Sequence, residues 1–139
     1  MKVMKKTRWG AIALVITLVL ASGLTLTGCD NGPGAGRGFD PVGTWRGTYT
    51  DTWHDSHGTV HYRVEVTLTL WANGTGTIRQ DEFENNVFAE TNTGNVSYSV
   101  SDNIITITIH WPGEGPLQSV GSFTDNNTLI WHGITFRRN

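Results

Sequence analysis

The chain has 139 residues, of which 37% are hydrophobic and 16% charged, with seventeen glycines, four prolines and a single cysteine. One cysteine excludes a disulfide scaffold and a cysteine-rich metal site. A net charge of −2 and a pI of about 6.2 leave no basic patch for nucleic acid, and the length allows one modest domain.

Lys2, Lys5, Lys6 and Arg8 precede an uncharged stretch from Ala11 to Leu26. That order of a positive region and an apolar run is the layout of a secretory signal peptide. An uncleaved membrane span is the competing reading of the same stretch. The run ends in Leu26-Thr27-Gly28-Cys29, which resembles the lipobox of bacterial lipoproteins. The resemblance implies that residues 1–28 are removed and that Cys29 carries a diacylglyceryl thioether, usually with a further N-acyl chain. It places the domain outside the cytoplasm in a bacterial cell envelope, partnered with a membrane through that lipid. Two or three acyl chains are enough for stable anchoring.

Without residues 1–28 the chain keeps six arginines, all twelve acids and no lysine, a net charge near −6. It is therefore expected to hang from lipid alone, without adhering to anionic headgroups. Asp30, next to Cys29, is similar to an inner-membrane retention signal used in some envelope systems. Residues 29–40, with the sequence DNGPGAGRGFD after Cys29, are glycine-rich and nearly devoid of apolar side chains. They read as a flexible tether with a root-mean-square span of about 18–20 Å. Residues 41–139 then form the domain.

From Pro41 onward the apolar residues repeat every second position and not with a helical period. Val60, Tyr62, Val64, Val66, Leu68 and Leu70 alternate with His61, Arg63, Glu65, Thr67 and Thr69. This is a half-buried strand rich in β-branched side chains. Turn positions can be checked against faces, because directly paired residues share a side of the sheet. A two-residue turn at Ser56-His57 pairs Trp53 with Val60, Tyr49 with Val64 and Trp45 with Leu68. A turn at Asp102-Asn103 pairs Val100 with Ile105, Tyr98 with Ile107 and Val96 with Ile109. A three-residue loop at Asp125-Asn126-Asn127 sets Phe123 opposite Leu129 and the indole of Trp131 opposite Gly121. In all three hairpins apolar residues meet apolar residues or glycine.

Two places resist this pattern. Asn73-Gly74 signals a hairpin, yet residues 75–83 do not alternate: one register turns Arg79 and Asp81 inward, the other Gln80 and Glu82. Parity also flips across His132-Gly133, through a tight turn or a bulge. Seven or eight strands follow, with eight preferred: 43–54, 58–71, 75–83, 94–101, 104–111, 117–124, 128–132 and 134–138. The segment from Phe83 to Gly94, with Glu84 and Glu90, reads as a solvated acidic loop. No amphipathic helix is available to cover the apolar face, so closure into a small antiparallel up-and-down β-barrel is preferred over a sandwich.

Gly43-Thr44-Trp45 opens the first strand and Phe136-Arg137-Arg138 ends the last. This pattern resembles the calycins, the lipocalins and small bacterial lipocalin-like domains among them. The stretches Tyr98–Thr106, Gly121–Phe123 and Thr128–Trp131 have a similar rhythm. The resemblance implies that Trp45 plugs one barrel end and that Arg137 or Arg138 stacks across it, Arg137 being the pairing adopted. The chain departs from lipocalins proper in being shorter and in lacking the final helix and a disulfide.

For chemistry, the sequence has no nucleophile elbow, zinc-protease helix or phosphate loop, so no catalytic residue, cofactor or metal is expected and the protein is not read as an enzyme. Asp81, Glu82, Glu84 and Glu90 would act as a hydrolytic pair only inside a cleft. His54, Asp55, His57 and His61 are dense in metal-capable groups, but an extended strand sets His57 and His61 about 13 Å apart. Trp45, Tyr49, Trp53, Tyr62, Tyr98, Trp111 and Trp131 are the aromatic candidates for an interior. Tyr49, Tyr62, Arg79, Tyr98 and Trp131 are expected to line a pocket for a small hydrophobic or amphipathic ligand, in a monomer. The rival reading is an interaction or inhibitor module with a solid core, contacting partners through the loop from Trp111 to Pro116.

Overall fold

The computed structural model describes residues 38–139. The expected signal peptide, the expected lipobox with Cys29 and the expected tether up to Arg37 lie outside them. Within the described residues eight strands follow one another around a closed antiparallel barrel: β1 (Gly43–Asp55), β2 (Gly58–Leu70), β3 (Thr75–Glu84), β4 (Val87–Ser101), β5 (Ile104–His110), β6 (Leu117–Asp125), β7 (Thr128–Trp131) and β8 (Ile134–Arg138). Every strand pairs with its neighbour in sequence, and β8 returns to β1.

The registers follow from the turns. Asp55 opposes Gly58, which pairs Trp53 with Val60, Tyr49 with Val64 and Trp45 with Leu68. Ser101 opposes Ile104, so Val100, Tyr98 and Val96 meet Ile105, Ile107 and Ile109. Phe123 faces Leu129 and Gly121 faces Trp131, with the ladder slipping between Phe123 and Asp125. A β-carbon at Gly121 would lie 3.1 Å from that of Trp131, so the glycine admits the indole. His132 and Gly133 both have positive φ (51° and 72°), making a two-residue turn that pairs Trp131 with Ile134. This tight turn, not a bulge, flips the parity.

The expected acidic loop between Phe83 and Gly94 is instead strand. Asn85 and Asn86 form the turn with φ of 51° and 65°, and β4 begins at Val87 and runs for 15 residues. Asparagine reaches this left-handed region at lower cost than most side chains. The register slips between Glu82 and Phe83. That bulge leaves Phe83 opposite Phe88 on the outer face, with the two rings edge to face at 5.9 Å.

Inward-facing apolar side chains fill one half of the barrel. Trp45, Leu68, Ile78, Ile105, Ile107, Leu129 and Phe136 are wholly buried. Truncating one of the large ones costs about 3–5 kcal/mol. The end where the described chain enters is plugged. Phe39 stacks on Phe123 at 5.7 Å, and Phe123 packs against Trp45 at 5.4 Å. The Trp45 indole N–H donates to the Pro41 carbonyl at 2.9 Å. Phe39 and Asp40 thus pack against the barrel end.

It is Arg138, not Arg137, that closes this end. Its guanidinium lies 4.6 Å above the Trp45 ring and donates to the carbonyls of Val42 (2.7 Å), Asn126 (2.9 Å) and Asp40. Alternation decides between the two: Phe136 points inward, so Arg138 shares its side, while Arg137 turns out and donates to the Thr128 hydroxyl at 2.6 Å.

Candidate functional site

The four turns at the opposite end are 56–57, 85–86, 111–116 and 132–133. The barrel wall is uneven there. β1, β2 and β4 have 13, 13 and 15 residues, whereas β7 and β8 have 4 and 5. One side of the rim is therefore a tall wall of β1 to β4, and the other a low sill of β7 and β8.

Moving up the inner face of the tall wall, the lining changes from apolar to polar. On β3 the buried Ile78 is followed by Gln80 and then Glu82, which is paired with Val64 and is only 6% exposed. Glu82 and Glu90 are opposite each other across β3 and β4. The Asn92 side-chain amide donates to both, at 3.3 Å to Glu82 Oε1 and 3.0 Å to Glu90 Oε1. Burial raises the Glu82 pKa above the usual carboxylate range, and the neighbouring charges of Glu90 and Glu84 push the same way. The hydrogen bond that it receives from Asn92 acts against that shift without overcoming it.

Tyr62 lies across from this group. Its hydroxyl is buried and makes no hydrogen bond of good geometry, although Glu82 is near enough to influence its titration. Burial first, then Glu82, raises the phenol pKa far above its ordinary value. The Tyr62 ring packs against Trp53 at 5.5 Å, and Trp53 is 39% exposed at the rim. Tyr49, half-buried on the same face, has its pKa raised by burial and then by Asp51. On the low side Trp131 is buried and donates its indole N–H to Ser119 Oγ at 2.8 Å. His132 packs on Trp131 at 4.8 Å; its Nε2 is buried without a partner, and burial lowers its pKa. Trp111 folds against Gly94, where a β-carbon would lie 2.9 Å from the indole.

Of the five residues expected to line a pocket, Tyr49, Tyr62 and Trp131 face this interior. Arg79 does not. It pairs with Thr67 on the outer face and forms an ion pair with Asp81 at 2.9 Å. The Thr91 hydroxyl, with Arg79, holds Asp81 below its ordinary pKa. Gln80 and Glu82 point in because β3 takes the register that keeps Ile78 with Leu68. Tyr98 faces inward but near the plugged end, where its hydroxyl donates to the Trp71 carbonyl at 2.5 Å. The residues missed were Glu82, Glu90 and Asn92 as inward-facing groups. The signal for Glu82 was present as the second of the two registers weighed for residues 75–83; Glu90 and Asn92 fell in the segment read as a loop.

The histidines of the first hairpin bond locally: His54 Nδ1 to the Thr59 hydroxyl at 2.9 Å and His61 Nδ1 to the Thr52 hydroxyl at 3.2 Å. Among the described residues no three His, Cys, Asp or Glu side chains are grouped to hold a metal ion. No family model, curated protein or solved structure matches the chain.

Proposed function

We propose that this is a lipid-anchored lipoprotein of a bacterial cell envelope whose lipocalin-like barrel binds a small or amphipathic molecule without transforming it. One observation carries the binding part of this reading. The barrel is plugged by stacked aromatics at one end, while at the other its inner wall turns from aliphatic to Tyr62, Glu82, Asn92 and Glu90. Burying such groups costs free energy unless they are well paired. An apolar lining would serve better if the interior existed only to be filled. An apolar floor below polar groups and a Trp–Tyr rim suits a molecule with one greasy and one polar end. Arg138 on Trp45 agrees with the lipocalin-like resemblance, and Leu26-Thr27-Gly28-Cys29 supports the anchor.

The binding test is intrinsic tryptophan fluorescence of the full chain in detergent, titrated with fatty acids, haem and small aromatics. Trp53 and Trp131 lie where a ligand would shift or quench emission; no response across the panel would remove the reading. The anchor test is Cys29→Ser, which should prevent lipidation and normal processing. A Cys29→Ser chain processed as the wild type is would refute it.

A further inference from the structure

The seam between β8 and β1 leaves a second feature unexplained by a ligand in the barrel. β8 pairs with β1 only at Trp45 and Arg46, although β1 continues to Asp55 and stays in unbroken register with β2 throughout. In an antiparallel strand the N–H and C=O of one residue point to the same side, and those of the next point to the other. Two contacts fix which residues point away from β2. The Thr44 carbonyl accepts from the Asn139 N–H at 2.8 Å, on the β8 side. The Thr52 N–H donates to the Asp51 carboxylate at 2.8 Å, so it is outside the β2 ladder. The even-numbered residues therefore face the seam. Beyond β8, the amides and carbonyls of Thr50 and His54 form a free edge, and among the described residues no backbone group pairs with them.

Such an edge is a template for another strand unless it is blunted by lysine, proline, a bulge or a cover. β1 has no lysine, no proline and no bulge. Thr48, Thr50, Asp51, Thr52, Trp53 and His54 are exposed. The other edge of the tall wall, at the start of β4, differs: it carries the slip at Glu82/Phe83, and Trp111 packs onto Gly94.

We infer that the β1 edge from Thr50 to His54 is a docking site for an extended, basic segment of a partner protein, which would add a strand above the low sill of β8. Alternation of side chains sets the chemistry. Inward-pointing side chains of the added strand would enter beside Asp51 on the interior side that also holds Glu82 and Glu90. The arginines point to other places: Arg46 on β1 and Arg63, across from Thr50, are on the outer face, Arg63 with Glu65 at 3.5 Å; Arg79 is paired with Asp81, and Arg137 and Arg138 are at the plugged end. Outward-pointing side chains would lie beside the hydroxyls of Thr50 and Thr52. A second copy fits less well, because it would bring another Asp51 to an already acidic edge.

The test uses the full chain in detergent and a blocked octapeptide alternating threonine with lysine, beside the same peptide with glutamate for lysine. The lysine peptide should slow hydrogen exchange at Thr50 and His54, with binding weakened by salt. The glutamate peptide should bind about tenfold more weakly or not at all. Thr50→Pro removes a seam-facing N–H without breaking the β2 ladder. It should weaken the lysine peptide about tenfold, the scale of one lost ladder bond, while the melting temperature changes little. The exchange measurement on the unaltered chain stands even if Thr50→Pro misfolds. The inference is overturned if neither peptide protects these amides, if Thr50→Pro binds as the wild type does, or if the edge is protected by self-association. None of these outcomes bears on fluorescence changes with small ligands, so the two readings fail separately.

Discussion

Replacing Arg138 by alanine tests how the barrel is closed. The guanidinium ties together parts far apart in the sequence: it lies 4.6 Å over Trp45 and donates to carbonyls of Asp40, Val42 and Asn126. A cation–π contact contributes about 1 kcal/mol at a partly exposed site. Hydrogen bonds from a charged donor contribute about 1.5 kcal/mol each at the low end, which suits a half-buried side chain. Against this stands about 2 kcal/mol of side-chain entropy regained when the arginine is removed. The net loss is about 3.5 kcal/mol, a large part of the roughly 5–15 kcal/mol usual for a domain. At about 4–8 °C per kcal/mol for a chain of this size, the melting temperature should fall by more than about 10 °C.

Arg137→Ala is the control, since it differs by one position and carries the same charge. It loses one bond, to the Thr128 hydroxyl, and should cost about 1 kcal/mol. Urea unfolding followed by near-ultraviolet circular dichroism reports both the free energy and the environment of Trp45. Arg138→Lys should recover little, because an ammonium cannot reach three carbonyls in a planar fork. If Arg137→Ala destabilises as much as Arg138→Ala, the parity argument for closure is wrong.

Two further substitutions probe the interior. Glu82 has a raised pKa in the folded state, so the folded chain binds its proton more tightly than the unfolded chain does; its contribution to stability is then greatest below the usual glutamate pKa of 4.5 and is lost as pH rises through the raised folded value. Glu82→Gln should flatten that part of the stability–pH curve and raise the melting temperature at neutral pH, and an unchanged slope would show that Glu82 is not the group responsible. Gly47→Ala should destabilise by about 1–3 kcal/mol through overpacking, since its β-carbon would lie 2.8 Å from Ile134 Cγ2 and 3.0 Å from the Phe136 ring; denaturant midpoints equal to wild type would mean that β8 can shift away from β1.

The hairpins at 56–57, 102–103 and 125–127 were legible because a short turn leaves few registers and a half-apolar strand accepts only one parity. β3 and the start of β4 were not, for a reason that concerns function. Sidedness is read from apolar residues, and above Ile78 the inner positions are Gln80 and Glu82, opposite Asn92 and Glu90. Polar residues on both faces erase the alternation, and the slip at Glu82/Phe83 shifts what remains. The same substitution of polar for apolar that hid the strand also gives the interior its candidate site. Arg79 was misplaced for the same reason, since no apolar neighbour in sequence separated its face from that of Gln80.

The free edge of β1 was illegible in another way. Local pattern determines how β1 meets β2, but the partner across the seam lies at the far end of the chain, with Arg138 on Trp45 and Arg137 on Arg46. Each strand length can be read from its own turns; the mismatch between a 13-residue strand and a 5-residue one appears only when the barrel closes. Closure by Arg138 therefore does two things at once. It fixes β8 against the first half of β1, sealing the plugged end, and it leaves β1 beyond Tyr49 without a neighbour on that side. Lengthening β8 by extending the hairpin at His132-Gly133 would cover the edge while leaving the Arg138 clasp in place. Peptide binding at β1 should then disappear without loss of the barrel's stability.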